Sequence, residues 1–203
     1  WAAILWLVNP VIWYNSAVWG QTDAVINFLA LLAFYLLVVR KKIFWAVLAM
    51  VFCFYVKVSL LIFLPIFLLV LVRQKYKVSR VAVSIIVPIA LVGLLTLPFS
   101  QGEPLGWLIN LYQTKVLGQQ LQVITANAFN VWAAIAGIHE RPQTLPFLGL
   151  TYQYWGYILF GLSFVPILYS VWKRQDEKSV AWALALTAFS AWMFLTNMHE
   201  RYL

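Results

Sequence analysis

The sequence predicts an all-α protein: a polytopic transmembrane helical bundle of about seven spans, several of them short, with interfacial helices in one long outer segment. Three observations carry that expectation. Hydrophobic residues make up 64% of the 203 and charged residues 10%, against roughly 25% in soluble domains, which leaves too little charge to coat a water-soluble core. The apolar residues gather into runs that recur along the chain. Eleven tryptophans and ten tyrosines suit long perimeters at the headgroup level, where amphipathic rings settle.

Taken in order, the runs are Trp1 to Tyr14, which is cut short, then Ala24 to Val39, Ile43 to Val56, Val58 to Val72, Val81 to Leu97, Tyr152 to Trp172 and Val180 to Leu195. Several fall below the roughly 20 residues that cross about 30 Å of hydrocarbon. Either their ends extend into flanking polar residues or the bilayer thins around them. Because the chain opens inside an apolar run and stops directly after a charged tripeptide, it is expected to be a piece of a longer polytopic protein lacking the N-terminal region. Residues 1–203 are read as a single transmembrane domain.

Basic residues orient the runs. Arg40, Lys41 and Lys42 form one cluster; Arg73, Lys75, Lys77 and Arg80 a second; Lys173, Arg174 and Lys178 a third. The positive-inside rule places all three in the cytoplasm. One long helix from Ile43 to Val72 would put the second cluster outside, so two short helices with a turn near Lys57 and Ser59 fit better. Residues 15–23, the outer segment 99–151 and the terminal His199-Glu200-Arg201 then share the opposite, non-cytoplasmic face. Asp23, Glu103, Glu140 and Glu200 lie there with both histidines. The expected location is therefore a multi-pass protein of a cell inner membrane, its chemistry on the non-cytoplasmic side.

The net charge of +8 is explained by this topology. A nucleic-acid-binding module would need a basic surface interleaved with exposed aromatics, and none is present. The single cysteine, Cys53, cannot close an internal disulfide and reads as a small buried hydrophobe.

Within the outer segment, Leu105, Leu108, Ile109, Tyr112 and Val116 fall on one side at helical spacing with Asn110, Gln113 and Gln120 off that stripe, the pattern of a helix lying in the interface. Pro104 suits its first turn. Ala126 to Ile138 is too short to span; it dips into the membrane or lines a cavity, where polar backbone meets protein or water. His139-Glu140-Arg141-Pro142 reads as a solvated loop.

Chemistry concentrates in few places. Asp23 is an acid at the start of an apolar run in a chain with six acids. Thr22 or Asp23 fits a capping role at that helix start. Trp19, Gln21, Asn15 and Asn9 around it give a second reading: an aromatic face to stack on and amides for hydroxyls, which is what a sugar needs. His199, Glu200 and Arg201 fit a local ion pair, or a phosphate site in which Arg supplies a planar fork and His donates or relays a proton. Lys57 either snorkels to the surface or turns inward to a phosphate or carboxylate. No Gly-rich phosphate loop, no helical pair of metal-ligating histidines and no Gly-x-Ser-x-Gly motif occurs.

Asn9-Pro10, Trp19-Gly20-Gln21-Thr22-Asp23-Ala24, Lys57 before Pro65, Asn127-Ala128-Phe129-Asn130-Val131-Trp132 and Met198-His199-Glu200-Arg201-Tyr202-Leu203 together resemble the polytopic GT-C glycosyltransferases. The likeness is nearest to bacterial and archaeal mannosyltransferase-like members, with a weaker similarity to dolichol-phosphate-glucose-dependent glucosyltransferases of N-glycan assembly. It implies a transferase that moves a hexose, mannose foremost, from a polyprenyl-phosphate carrier to a lipid-linked or glycan acceptor on the non-cytoplasmic face. Asp23, His199 and Glu200 are the expected catalytic residues; Trp19, Gln21, Lys57, Asn127, Asn130 and Arg201 are expected to bind substrate. The family usually carries a catalytic acid in the first outer loop, a region upstream of Trp1. In that case Asp23 organises substrate.

The scheme implied is a single displacement. A carboxylate deprotonates the acceptor hydroxyl, which attacks the anomeric carbon while His199 and Arg201 stabilise the departing phosphate. It needs no cofactor beyond the lipid-phosphate-linked donor; a divalent metal is compatible with it and has no ligand set. The partners implied are membrane lipids, the polyprenyl-phosphate donor and the acceptor, with no nucleic acid. Two other classes remain: a lipid or sugar transporter or flippase, which should place broken polar helices at mid-membrane, and a scaffold, which would tolerate loss of Asp23 and His199.

Overall fold

A computed structural model describes residues 8–10, 14, 22–117 and 122–199. Helix accounts for 73% of the structure, and the strands among the described residues are only two residues long each, so the all-α class holds with two small two-stranded sheets added to it. The chain divides into two compact units: Trp1–Leu64 with Gln74–Leu95, and Pro65–Arg73 with Thr96–Leu203.

The first unit is built on a helical hairpin. α1 (Asp23–Val38) buries Ile26, Ala30, Ala33, Phe34 and Leu37, and α2 (Ile43–Val56) buries Ile43, Ala46, Val47, Met50 and Cys53. Both sets follow i, i+3, i+4, i+7 spacing, one face of each helix. The many alanines on those faces let the backbones approach closely. Cys53 packs with Ile26 and Ala30 and donates its thiol to the Ile26 carbonyl at 3.4 Å. At the tip, Lys41 takes a left-handed φ of 53°, and the amides of Arg40 and Lys42 return to the Tyr35 and Leu36 carbonyls. This four-residue connection makes α1 and α2 antiparallel neighbours.

After α2 the backbone breaks at Lys57, whose φ of −161° and ψ of 129° are extended, and resumes as a 3-10 turn over Val58–Phe63. α3 (Leu64–Arg73) follows directly. The break falls near Lys57 and Ser59, where the charge pattern favours a turn. α4 (Val78–Thr96) passes through the buried Pro88 and leads into a 3-10 turn at Leu97–Phe99.

In the second unit, α5 (Pro104–Leu111) starts on Pro104 and continues as a π-helical stretch over Tyr112–Leu117. Leu105 and Ile109 of its apolar stripe are exposed. The run from Ala126 to Ile138 is helical only over α6 (Val131–Ala136). Ahead of α6 the chain forms β1 (Thr125–Ala126), which lies parallel to β4 (Met198–His199), pairing Thr125 with Met198 and Ala126 with His199. β2 (Pro146–Phe147) and β3 (Leu150–Thr151) form a hairpin whose loop residues Leu148 and Gly149 both have positive φ, 47° and 85°, the turn that matches strand twist. α7 (Tyr152–Lys173) and α8 (Glu177–Phe194) are joined by a short loop and pack together. The core of this unit is Ile124, Trp132 and Ala136, covered by Phe147, Tyr152, Trp155 and Leu159.

Among the described residues two helical stretches, Val78–Phe99 and Tyr152–Lys173, are long and apolar enough to cross a membrane. The expected count was about seven. Asp23–Val38, Ile43–Val56 and Val58–Arg73 are apolar but shorter; the 16 residues of α1 reach about 24 Å at 1.5 Å each, under the ~30 Å of hydrocarbon. The two long stretches bury only 17% of their apolar windows inside the protein. Val83, Ile86 and Leu94 on α4 and Leu162 and Val165 on α7 are exposed, as on surfaces that meet lipid or another chain.

Candidate functional site

Asp23 is the first residue of α1, and Thr22 before it makes no side-chain cap. The carboxylate instead accepts from Lys57 Nζ at 2.6 Å. The hairpin explains the meeting: antiparallel packing returns the end of α2 to the start of α1, 34 residues away. Had α2 continued as helix through Lys57, the side chain would have followed the helical rotation; the extended residue redirects it. The carboxylate also lies at the positive end of the α1 dipole. Lys57 is 31% exposed at its side chain and Asp23 17%. One oxygen of Asp23 is engaged, while Oδ2 is buried with no hydrogen-bond partner among the described residues. Asp23 is thus a first-turn acid that is also ion-paired, and Lys57 meets a carboxylate. Asn9 is exposed; Trp19, Gln21 and Asn15 lie outside the described residues.

The second group of candidates sits in the other unit. α8 ends at Phe194, and the segment after it is held by bonds from far along the chain. Asn130 caps α6, its Oδ1 accepting from the amides of Trp132 and Ala133, while its Nδ2 donates to the Trp192 carbonyl at 3.3 Å. Trp132 Nε1 donates to the Phe194 carbonyl at 2.6 Å. Thr196 Oγ1 donates to Gln143 Oε1 at 2.6 Å. The Val123 amide donates to Asn197 Oδ1 at 2.7 Å, and the Asn197 amide returns to the Val123 carbonyl. These bonds leave the backbone of Met198 and His199 lying alongside Thr125 and Ala126.

Asn127 follows β1 directly, exposed and in the left-handed region at φ 56°, a conformation that asparagine tolerates. Asn130 is 4% exposed and spends its amide on the fold, so it holds the Asn127 turn and the α8 terminus in register. His199 is described by its backbone alone; Glu200 and Arg201 lie outside the described residues. The structure thus joins Asp23 to Lys57 in one unit, and the Asn127–Asn130 turn to the strand bearing His199 in the other. His139, Glu140 and Arg141 are exposed in a loop, with the Arg141 carbonyl accepting from Ile124.

Several positioning residues carried no sequence signal. Gln143, Thr196 and Asn197 are ordinary polar residues of loops until their partners, 53 and 74 residues away, are known. Gly156 is another: a Cβ there would stand 2.8 Å from the Phe194 carbonyl oxygen, so only glycine lets α7 pass this close to the end of α8. Trp132 could have been suspected, since a buried indole needs an acceptor. Among the described residues, no three of His, Cys, Asp and Glu gather as metal ligands.

No protein-family model, no curated protein and no solved structure matches this chain.

Proposed function

We propose that the chain acts as a multi-pass membrane glycosyltransferase that moves a hexose, mannose foremost, from a polyprenyl-phosphate carrier to a lipid-linked or glycan acceptor. Its active face is non-cytoplasmic. The observation that carries the reading is the Asp23–Lys57 pair: a carboxylate and an ammonium joined at one end of an apolar hairpin, with Asp23 Oδ2 buried and lacking a donor among the described residues. A buried acceptor left unpaired costs about 1–3 kcal/mol. A sugar hydroxyl donating to Oδ2 satisfies it, and Lys57 beside it suits the lipid phosphate. The apolar exposure of α4 and α7 supports the membrane half of the reading, and the motif resemblance supports the reaction class.

On these terms Asp23 orients the acceptor hydroxyl or removes its proton, and a single displacement inverts the anomeric carbon; for His199 and Arg201 the phosphate-stabilising role rests on the motif resemblance. The test uses full-length protein in lipid, with polyprenyl-phosphate hexoses as donors and product resolved by chromatography. Asp23→Ala and His199→Ala are each expected to lower transfer by about 100-fold or more. Transfer at the parental rate in both variants rejects the assignment.

A further inference from the structure

A second polar site stands at the C-terminal ends of α3 and α7, within the second unit. Arg73, the last residue of α3, lays its guanidinium over the Trp172 ring, 4.6 Å from the centroid. Lys173, the last residue of α7, holds its ammonium 5.3 Å from the Tyr169 ring centroid. Arg174 follows, exposed. None of the three cations has a carboxylate partner among the described residues. Asp176, the nearest acid in sequence, has both carboxylate oxygens engaged by Ser179. One residue further from Arg174, the side-chain nitrogen of Gln175 is buried without a hydrogen-bond partner among the described residues.

Cations at helix C-termini complement the helix dipoles, and that alone would account for Arg73 and Lys173. It does not account for their fixing against aromatic faces, for the missing carboxylates, or for the unpartnered amide donor. Stacking on Trp172 occupies one face of the guanidinium and leaves its N–H edge, the edge that fits a phosphate, without a partner among the described residues. The surface leading to this point is apolar and exposed: Tyr157, Leu162, Val165, Tyr169 and Trp172. From Tyr154 to Trp172 the helix rises about 27 Å, close to the ~30 Å of bilayer hydrocarbon. A ligand that is long and apolar with an anionic phosphodiester at one end matches both parts of that surface.

We propose that Arg73, Lys173 and Arg174, with Trp172, Tyr169 and the Gln175 amide, form a headgroup site for an anionic phospholipid whose chains lie along α7. The site is separate from Asp23–Lys57 and rests on the membrane half of the reading above, not on the transferase half. Each cation near an anionic lipid surface contributes about fivefold in affinity at low salt, and the contribution falls as salt rises.

The experiment reconstitutes the whole chain in vesicles of phosphatidylcholine with a minor share of phosphatidylglycerol, extracts it gently, and quantifies co-purifying lipid by mass spectrometry. Parental protein is expected to enrich phosphatidylglycerol over the vesicle composition. Arg73→Gln with Lys173→Gln should lower that enrichment by about 10-fold or more, whereas Lys41→Gln with Lys42→Gln, an equal loss of exposed charge elsewhere, should leave most of it. Arg73→Lys, the mildest change, should retain a part. No enrichment in the parental protein, or an equal loss in both double variants, overturns the site while leaving vesicle insertion intact. Displacement of the lipid by millimolar inorganic phosphate would assign the cluster to a soluble anion and also overturn it. Failure to enter vesicles at all overturns the membrane reading together with the site.

Discussion

Breaking the Asp23–Lys57 pair should uncouple stability from activity in a way that shows what the pair is for. At 2.6 Å and an effective dielectric constant near 20, the bare Coulomb attraction is about 6 kcal/mol. Desolvation removes most of it. Exposed pairs net about 0.2–1 kcal/mol, and loss of one partner from a buried pair costs about 3–5. With side chains 31% and 17% exposed, this pair lies between, and its coupling is expected near 2 kcal/mol. The assay is a double-mutant cycle of Asp23→Asn, Lys57→Met and the double variant, each unfolded by denaturant in mixed micelles and followed by tryptophan fluorescence. A coupling below about 0.5 kcal/mol would refute the argument that the two side chains depend on each other. The charge swap, Asp23→Lys with Lys57→Asp, then separates the roles. It should recover much of the stability, less about 0.5 kcal/mol for an ammonium at the positive end of α1, yet recover no transfer in the full-length protein. Recovery of both would make the pair purely structural and remove the observation on which the proposed function stands.

Three further outcomes are expected. Gly156→Ala forces a Cβ to within 2.8 Å of the Phe194 carbonyl oxygen and should cost about 1–3 kcal/mol in thermal unfolding, while Gly161→Ala, with nothing within 4 Å, should gain about 0.5–1. Asn130→Ala removes both cap bonds to α6 and the donor to Trp192 and should cost about 2–3 kcal/mol; Asn130→Asp, which keeps the cap acceptors, should cost less, and equal losses would contradict the capping role. Asp176 is held below the usual carboxylate range first by the Ser179 hydroxyl and then by the Ser179 amide. Its folded pKa is depressed, so its stabilisation is present above about pH 4 and lost as pH falls through the folded value. The melting-temperature gap between parental protein and Asp176→Ala should therefore close on acidification below pH 4, and a gap unchanged by pH would count against the cap.

What the sequence made legible was whatever repeats or whatever is rare. The helices of the first hairpin follow from apolar runs bounded by charge, and the break at Lys57 follows from asking where three basic clusters can lie on one side. Asp23 drew notice because acids are scarce. The sheet pairing of β1 with β4 was not legible, since two residues carry no periodicity and a parallel pairing across some 70 residues is decided by side-chain bonds at its flanks. Asn130 shows the limit from the other side: its residue type fits a sugar site and a helix cap equally, and only the placement of Trp132, Ala133 and Trp192 around it shows where its amide is spent. The seven runs read as spans are matched among the described residues by two long helical stretches and three shorter apolar helices. An apolar run records that a helix is surrounded by apolar matter, but α1 and α2 obtain part of that from each other's alanine faces.

The two candidate groups differ in how they are held, and this bears on what each can do. Asp23 and Lys57 hold one another, so a ligand that engages either must compete with a 2.6 Å ion pair or use the oxygen it leaves over. The His199 strand is instead clamped by bonds that come from outside the motif: Trp132 and Asn130 on the end of α8, Gln143 on Thr196, Val123 on Asn197. None of these uses a side chain of the terminal His-Glu-Arg triplet. The backbone up to Met198 and His199 is thus fixed by distant partners, and preorganised charge stabilisation depends on such fixing of the chain that carries the charges. Substitutions in the clamp should therefore lower transfer through position alone: Gln143→Ala in the full-length protein is expected to reduce turnover while leaving the chemical groups of the triplet intact, and unchanged turnover would show that the clamp serves stability only.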